Sequence, residues 1–560
     1  MPVVLAGVLA RRGISRAMIT DWLNPTLRGL LPDPSLLTDM DKAVNRLADA
    51  VERGEAVGIF GDYDVDGASS AALVHDVLTS LGMQVSIHIP DRFNEGYGPN
   101  LPALLALRDA GCQLILTVDC GITAHDPLAA ASEAGVEVLV IDHHVAGPQL
   151  PQATAVVNPN RLEDGGEHGY LAAAGVCFLV MVGLLRCLRQ RGFFADRTEP
   201  SLMQQLDLVA LATIADVVPL VGLNRAFVRR GLEVMARRGR PGLAALADQA
   251  QVDRPPDAHM LGFVLGPRIN AAGRIGQSSL GVQTLINTDQ AEALQLASQL
   301  EMLNTQRRDH EQAVTTAAIA ELEKAPLAPI LMAIGEGWHQ GVIGIAASRL
   351  KDRYQRPACV IAVEIDDDGR RIGKASGRSV SGFRLGPAVI AACQAGLLIA
   401  GGGHDMAAGF TLDMAKLELF RDFMESRLAT DMAALPEGEA SEHQIDAELP
   451  VAAADALLLE WMARAGPWGQ SAPEPRFVIT SARLEAVRWL GKGEAHIGFS
   501  ISQGGMRLDG VAFRVGGMPV GKALMKAADG RPVHLTGRLA ANPYRGARAV
   551  QFLLDDLAFV

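Results

Sequence analysis

From residue 56 onward the chain alternates short apolar runs with longer segments suited to helices. Consecutive apolar residues at 56–60, 85–89, 114–118 and 136–141 read as buried strands, and 68–81, 101–110 and 124–134 read as the helices between them. Strands spaced by helices of that length predict a parallel sheet with right-handed crossovers. Residues 285–324 carry few breakers and many Ala, Leu, Gln and Glu, which predicts one long helix or a helix pair with Thr288-Asp289 near its start. About 35 helical residues span roughly 50 Å, enough for a strut between two globular parts. A second α/β unit follows, with strands at 330–334 and 358–363, a loop at 335–341 and a helix at 342–350. The polar stretch 434–448 reads as a linker. Strand-like runs at 477–480, 497–501, 511–513, 533–539 and 550–554, with Gly-rich turns, predict a small barrel. Residues 1–50 read as a packed extension of short helices broken by prolines, with no assignable chemistry.

The expected organisation is therefore an α/β multidomain chain: an extension over 1–50, a parallel-sheet domain over 51–284, a connecting helix over 285–325, an accessory α/β domain over 326–435 and a barrel over 440–560. A chain of 560 residues is too long for one core, so several domains are expected in any case. The six cysteines form no CxxC pair, a pattern that fits a reducing cytoplasm. The apolar opening 1–10 precedes Arg11-Arg12, the reverse of a secretory signal. The longest uncharged run, 169–185, falls short of the ~20 residues of a membrane span and reads as a core helix. The expectation is a cytoplasmic protein without membrane contact. A net charge of −12 argues against wholesale attraction to nucleic acid, although the block 476–548 holds a clear excess of Lys and Arg over Asp and Glu.

Ligands of parallel sheets gather beyond the carboxyl ends of the strands. There this chain repeatedly places acids and imidazoles: Asp62, Asp64 and Asp66 after the first strand, Asp91-Arg92 after the second, Asp119 after the third and Asp142-His143-His144 after the fourth. Closely spaced carboxylates repel when desolvated, so a cation is expected among them. Asp216, inside the apolar stretch 211–220, would alone read as a helix cap or an ion-pair partner, and beside the others reads as a further ligand. Oxygen and imidazole donors, with no thiolate nearby but Cys120, suit Mn²⁺ or Mg²⁺, and a pair of ions roughly 3.5–4 Å apart is feasible.

These motifs together resemble the DHH phosphoesterase superfamily, named for its Asp-His-His triplet. Three later runs narrow the resemblance: Gly-Pro-Arg-Ile-Asn-Ala-Ala-Gly-Arg at 266–274, Lys-Ala-Ser-Gly-Arg-Ser at 374–379 and Gly-Gly-Gly-His at 401–404. They are similar to those of the family's single-strand-specific 5′→3′ DNA exonucleases, and the likeness runs from about residue 35 to the end. It implies a DHH catalytic domain, a DHHA1-like accessory domain and an OB-fold barrel. It also implies that Asp119 bridges two ions, that Asp66, His143 and Asp216 bind one of them, and that Asp64 helps bind the other. Asp62 stays open between ligand and supporting group, and His144 is expected on phosphate. The implied catalytic set is Asp66, Asp119, His143 and His144. Arg92, Arg268, Asn270, Arg274, Ser376, Arg378 and His404 are the candidates for holding substrate, because arginine forks match the oxygens of a terminal phosphate. The loop 335–341 with Trp338 and His339 reads equally well as structural.

The implied substrate is single-stranded DNA with a 5′ end, degraded to mononucleotides in repair and recombination. The family expectation adds a single-strand-binding protein or a helicase as partner, and a monomer as the working form. In the barrel, Arg488-Trp489, Lys492, Phe513, Arg538, Tyr544-Arg545 and Arg548 mix cations with aromatics, which suits tracking a phosphate backbone and stacking bases. The bland alternative there is a solvated basic face. The rival enzyme is a DHH phosphodiesterase of short oligoribonucleotides or cyclic dinucleotides, but such proteins usually lack the strut and the barrel. A scaffold with decayed ligands is disfavoured by the retained Asp64, Asp66, Asp119, His143 and Asp216.

Overall fold

The computed structural model describes residues 1–433, 444–491, 495–546 and 548–560. The expected linker therefore lies largely outside the described residues, as does Lys492.

Five parallel strands form the catalytic sheet: β1 (Val57–Gly61), β2 (Val85–His88), β3 (Leu114–Val118), β4 (Val138–Ile141) and β5 (Ala155–Val157), in the order β2-β1-β3-β4-β5. The fifth strand is an addition to the four expected. Side chains alternate strictly between two cores. Ile59, Leu116, Leu139 and Ile141 face one layer, and Phe60, Ile115, Val138 and Val140 face the other. Burial on both faces explains why these runs are continuously apolar. The apolar helix Ala173–Gln190 is long enough to cross a membrane by composition, yet it packs into the first core.

The first helix begins at Val65, three residues earlier than its apolar pattern suggests, because the Asp64 carboxylate accepts from the backbone N–H groups of Asp66 and Gly67 and caps it. The strut is the expected long helix, starting a few residues later than its apolar pattern. Leu280–Ile286 is a separate helix, and the long one runs from Gln290 to Leu322 with Asp289 as its cap. Its 33 residues span about 50 Å. It packs along Pro241–Gln249 and Gly266–Ile275 at one end and Gln340–Tyr354 at the other, so it is a shared wall between domains.

The accessory domain carries β6 (Leu331–Glu336), β7 (Ala358–Ile365), β8 (Arg371–Arg378), β9 (Ala400–His404) and β10 (Ala407–Asp413) in a mixed sheet of order β6-β7-β8-β10-β9. The last domain has a short edge strand β11 (Ala447–Glu448) and β12 (Phe477–Leu490), β13 (His496–Gln503), β14 (Met506–Ala512), β15 (Val533–Ala541) and β16 (Val550–Phe559). Pairing of β12 with β15 closes the last five into a barrel.

The N-terminal extension has two destinations. Leu5, Val8 and Leu9 lie in the barrel's core, whereas the helix Met40–Arg53 packs on the catalytic sheet. The reason is the run of prolines between them, which lets two amphipathic pieces face different partners.

Candidate metal centre

The sheet order reverses between β1 and β3, and the crevice beyond that point is where the two strands deliver their acids. Asp62 is 4% exposed, Asp66 0% and Asp119 2%. His143 Nε2 lies 3.3 Å from Asp119 Oδ1, 3.6 Å from Asp216 Oδ2 and 3.8 Å from Asp66 Oδ2. Three sets of donor atoms each fit within 4.8 Å: Asp66, His143 and Asp216; Asp119, His143 and His144; Asp62, Asp64 and Asp119. The structure thus brings together Asp62, Asp64, Asp66, Asp119, His143, His144 and Asp216, whereas Asp91 turns back to accept from Phe93 N and Asn94 N. Asp119 belongs to two of the sets, as does His143. Asp62 joins one set directly, and His144 joins another.

Each side chain is placed by a different local device. Asp64 caps its own helix through Oδ1. Asp66 Oδ2 accepts from Ala173 N at 2.7 Å and Oδ1 from Ala174 N at 2.8 Å, so it also holds the start of the helix Ala173–Gln190. Gly67 must be glycine: a Cβ there would sit 2.4 Å from the Asp62 carbonyl oxygen. Asp119 adopts φ 61°, a left-handed turn that an acid tolerates better than most side chains. Asp216 is the C-cap of Leu206–Ala215, and Val217 after it also has positive φ, 59°. The His143 Nδ1–H donates to Leu171 O at 3.0 Å, which turns Nε2 toward the acids.

The electrostatics call for a cation. Burial, and then Asp64, pushes Asp62 well above the usual carboxylate range; burial, and then Asp66, Asp64 and Asp62, does the same to Asp119. Burial and the neighbouring acids push Asp216 up to about 8. Asp62 Oδ1 and Asp119 Oδ1 are buried with no hydrogen-bond partner among the described residues. Bare inward oxygens beside an imidazole nitrogen turned toward them fit divalent Mn²⁺ or Mg²⁺.

Asp142 behaves differently. It is the first residue of the Asp-His-His motif, yet its role is not legible from it. Burial alone would raise its pKa, but His144 and the backbone N–H groups of His144 and Ile122 bring it below the usual range. In return His144, which burial would lower, is pushed up to about 9 by the bond and charge of Asp142 at 2.8 Å. Tyr97 is a residue that sequence reasoning missed. Its hydroxyl lies 3.4 Å from His144 and from Asp119 O, and no local pattern announces it.

Beside this cluster lies a cleft of about 410 Å³ between the catalytic and accessory domains. Arg92, Arg274, Ser376 and Arg378 line it, with Lys374 and Gln340 as members not anticipated. Arg92 lies 5.3 Å over the ring of Tyr63, the residue between Asp62 and Asp64. Burial, then Arg92, Arg307 and Arg378, brings Arg274 down to about 10, a concentration of positive charge that awaits an anion. Three expected members stand elsewhere. Arg268 is engaged by Glu301 at 2.5 Å and Val264 O at 2.7 Å, and Asn270 accepts from Val65 N at 3.1 Å, steadying the acidic loop. His404 is exposed at the end of β9, outside the cleft lining.

Sheet order, strand-end acids and the Asp-His-His triplet are together those of a DHH phosphoesterase. Family models agree: the DHH family N-terminal domain matches residues 56–213, the DHHA1 domain 327–430 and the RecJ OB domain 445–556. The chain is 38% identical over 573 residues to the single-stranded-DNA-specific exonuclease RecJ of Dickeya dadantii and 37% over 571 to that of Escherichia coli, covering 100% of this chain and 96% of each relative. Crystal structures of RecJ from Thermus thermophilus superpose over 100% of this chain. The Mn²⁺ complex gives TM-score 0.81, 30% identity and 76% coverage of that chain; the Mg²⁺ complex gives 0.74, 28% and 74%. The chain belongs to the RecJ family of single-stranded-DNA-specific exonucleases.

Proposed function

We propose that this chain is a metal-dependent exonuclease that hydrolyses single-stranded DNA from the 5′ end and releases mononucleotides in the cytoplasm, in repair and recombination. The observation that carries this reading is the adjacency of two opposite surfaces: bare carboxylates at the strand ends, and an arginine cleft that opens beside them. The family relatives named for single-strand exonuclease activity, and the Mn²⁺ and Mg²⁺ complexes, support it. Asp64, Asp66, Asp119, His143 and Asp216 would hold two divalent ions, with Asp119 shared, and Asp62 and His144 at the edges of the same set. Bound ions at such a site offset the carboxylate charge and stabilise the attacking and leaving oxygens of an in-line displacement.

The chain's own groups do the positioning. Arg92, Arg274, Ser376 and Arg378 grip the terminal phosphate, which carries more charge than an internal one, and so register the first phosphodiester over the acids. Arg378 is aimed by its bonds to Ser376 Oγ at 3.1 Å and Gly377 O at 2.8 Å. His144, protonated through Asp142, presents a positive donor to a phosphate oxygen. Arg268 and Asn270 support the long helix and the acidic loop, and His404 ends the strand whose Ala400 and Gly401 line the cleft. On the barrel, Arg488 and Arg548 and the rings of Phe513 and Tyr544 are exposed, so cations and stacking faces are free for a strand. Arg538 and Arg545 are paired with acids. The chain would act as a monomer, with a single-strand-binding protein or helicase supplying the strand.

The test uses 5′- and 3′-labelled single and double strands of DNA and RNA with Mn²⁺, Mg²⁺ or EDTA. Immediate release of labelled mononucleotide from the 5′ end of single-stranded DNA, and only with metal, is expected. Digestion from the 3′ end, of duplex, or in EDTA would refute the reading.

A further inference from the structure

The catalytic and C-terminal domains meet at a buried cation. Arg225, on the catalytic helix Gly222–Met235, is 2% exposed, and its guanidinium donates to main-chain oxygens of the N-terminal segment and of the C-terminal domain. Its Nη1 donates to Pro467 O at 3.0 Å, and Nη2 donates to Ala465 O at 2.8 Å, Gly466 O at 3.2 Å and Trp22 O at 3.3 Å. Ala465 ends the helix Ala456–Ala465, so the guanidinium closes the negative end of a helix belonging to the other domain. Its central carbon also lies 3.7 Å from the centroid of the Trp22 ring. A desolvated cation is tolerated only where such compensation is extensive, which makes this junction demanding in geometry.

Three stretches distant in sequence converge there. Trp22 belongs to the N-terminal segment, which is tied to the barrel side by the two-pronged pair of Arg12 with Asp446 at 2.7 and 2.8 Å. Arg229, one turn along from Arg225, bonds Leu23 O. Leu220, at the end of the loop that follows Asp216, donates its N–H to Gln470 O at 2.8 Å. Gly469 approaches it so closely that a Cβ would lie 2.8 Å from Leu220 Cδ1. Along this seam runs a groove of about 1040 Å³, from Ala215 and Val217, which flank Asp216, to Arg538 on β15.

We propose that Arg225 is a positioning residue for the nuclease reaction. It latches the first residues of the chain and the barrel domain onto the catalytic domain, and so fixes the path a strand follows from the carboxylate cluster to the barrel. This rests on the exonuclease reading given above. A strand held at both ends of a rigid path gains from the effective concentration of the second site, and a loosened latch dilutes that gain without touching the reacting atoms.

The experiment compares the full chain with Arg225→Met and Trp22→Leu on two 5′-phosphorylated substrates, one too short to leave the catalytic cleft and one long enough to reach the barrel. Expected is an unchanged kcat on both, an unchanged KM on the short substrate, and a KM on the long one raised roughly threefold to thirtyfold. Trp22→Leu carries the test should Arg225→Met not fold. Equal loss on both substrates, or no change in length dependence, overturns the latch. Small-angle scattering separates this outcome from failure of the exonuclease reading. A wild type inert on single strands refutes that reading alone, whereas variants no more extended than wild type refute the latch alone.

Discussion

Replacing an acid by its amide should have opposite effects on stability at two acids of the same cluster. Asp66 and Asp119 are both buried and both face His143. Burial raises the Asp66 carboxyl as well, but Asp66 spends its oxygens on Ala173 N and Ala174 N, whose bonds pull it back down. An Asp66→Asn amide has only one acceptor oxygen, so its NH₂ must face a backbone N–H, and one buried donor loses its partner. Such a loss costs roughly 1–3 kcal/mol, with the charge-assisted character of the bonds adding to it. Asp119 Oδ1 has no hydrogen bond to lose, and its carboxyl is held well above the usual range by burial and by Asp66, Asp64 and Asp62. An acid whose folded pKa exceeds its unfolded one stabilises the fold below about pH 4, and loses that contribution as pH rises to the folded value. Asp119→Asn removes this loss, at about 1.4 kcal/mol for each pKa unit, and asparagine keeps the left-handed turn. In EDTA at pH 8, Asp66→Asn should therefore destabilise the catalytic domain by about 2 kcal/mol, whereas Asp119→Asn should stabilise it. Both should abolish turnover. Urea unfolding followed by circular dichroism reads the sign, and amide exchange over residues 171–180 reads the loosened helix start in the Asp66 variant alone. Shifts of the same sign, or equal protection of that helix start, would refute the division of roles.

Gly67→Ala should cost about 1–3 kcal/mol and at least tenfold in apparent Mn²⁺ affinity, because its methyl group meets the main chain of Asp62; isothermal titration with Mn²⁺ checks it. Metal-free protein should lose stability as pH rises from about 4 toward 8, since Asp216 is pushed up to about 8 by burial and by Asp66 and Asp64, and saturating Mn²⁺ should flatten the profile in thermal melts. Arg378→Lys keeps the charge but loses the fork, so KM for 5′-phosphorylated strands should rise roughly tenfold while 5′-hydroxyl strands change little, measured by paired steady-state assays.

The catalytic sheet and its crossovers were legible because parallel strands buried on both faces leave unbroken apolar runs, as in β3 and β4. β5 was not, since three residues give no period to read. The early start of the helix Val65–Ser80 was missed because it is set by the cap of Asp64, while the apolar pattern begins only later. The N-terminal extension reads as one piece in sequence and serves two cores in space, because amphipathicity tells that a face is buried but not against what.

The acids show the same limit in sharper form. Residue type and strand-end placement pointed to Asp62, Asp64, Asp66, Asp119 and Asp142, and an acid inside an apolar stretch pointed to Asp216. They could not separate them, because the difference lies in what each oxygen meets. Asp66 accepts from N–H groups 107 and 108 positions away, Asp142 is spent on its own neighbours and on Ile122, and Asp62 and Asp119 each keep an oxygen bare. A carboxylate already satisfied by backbone N–H groups can be both a structural cap and a ligand, whereas a bare one is stable only with a cation or a proton. The same logic reassigns Arg268, whose fork is filled by Glu301, and leaves Arg274, crowded by three other arginines, as the group with most to gain from a phosphate.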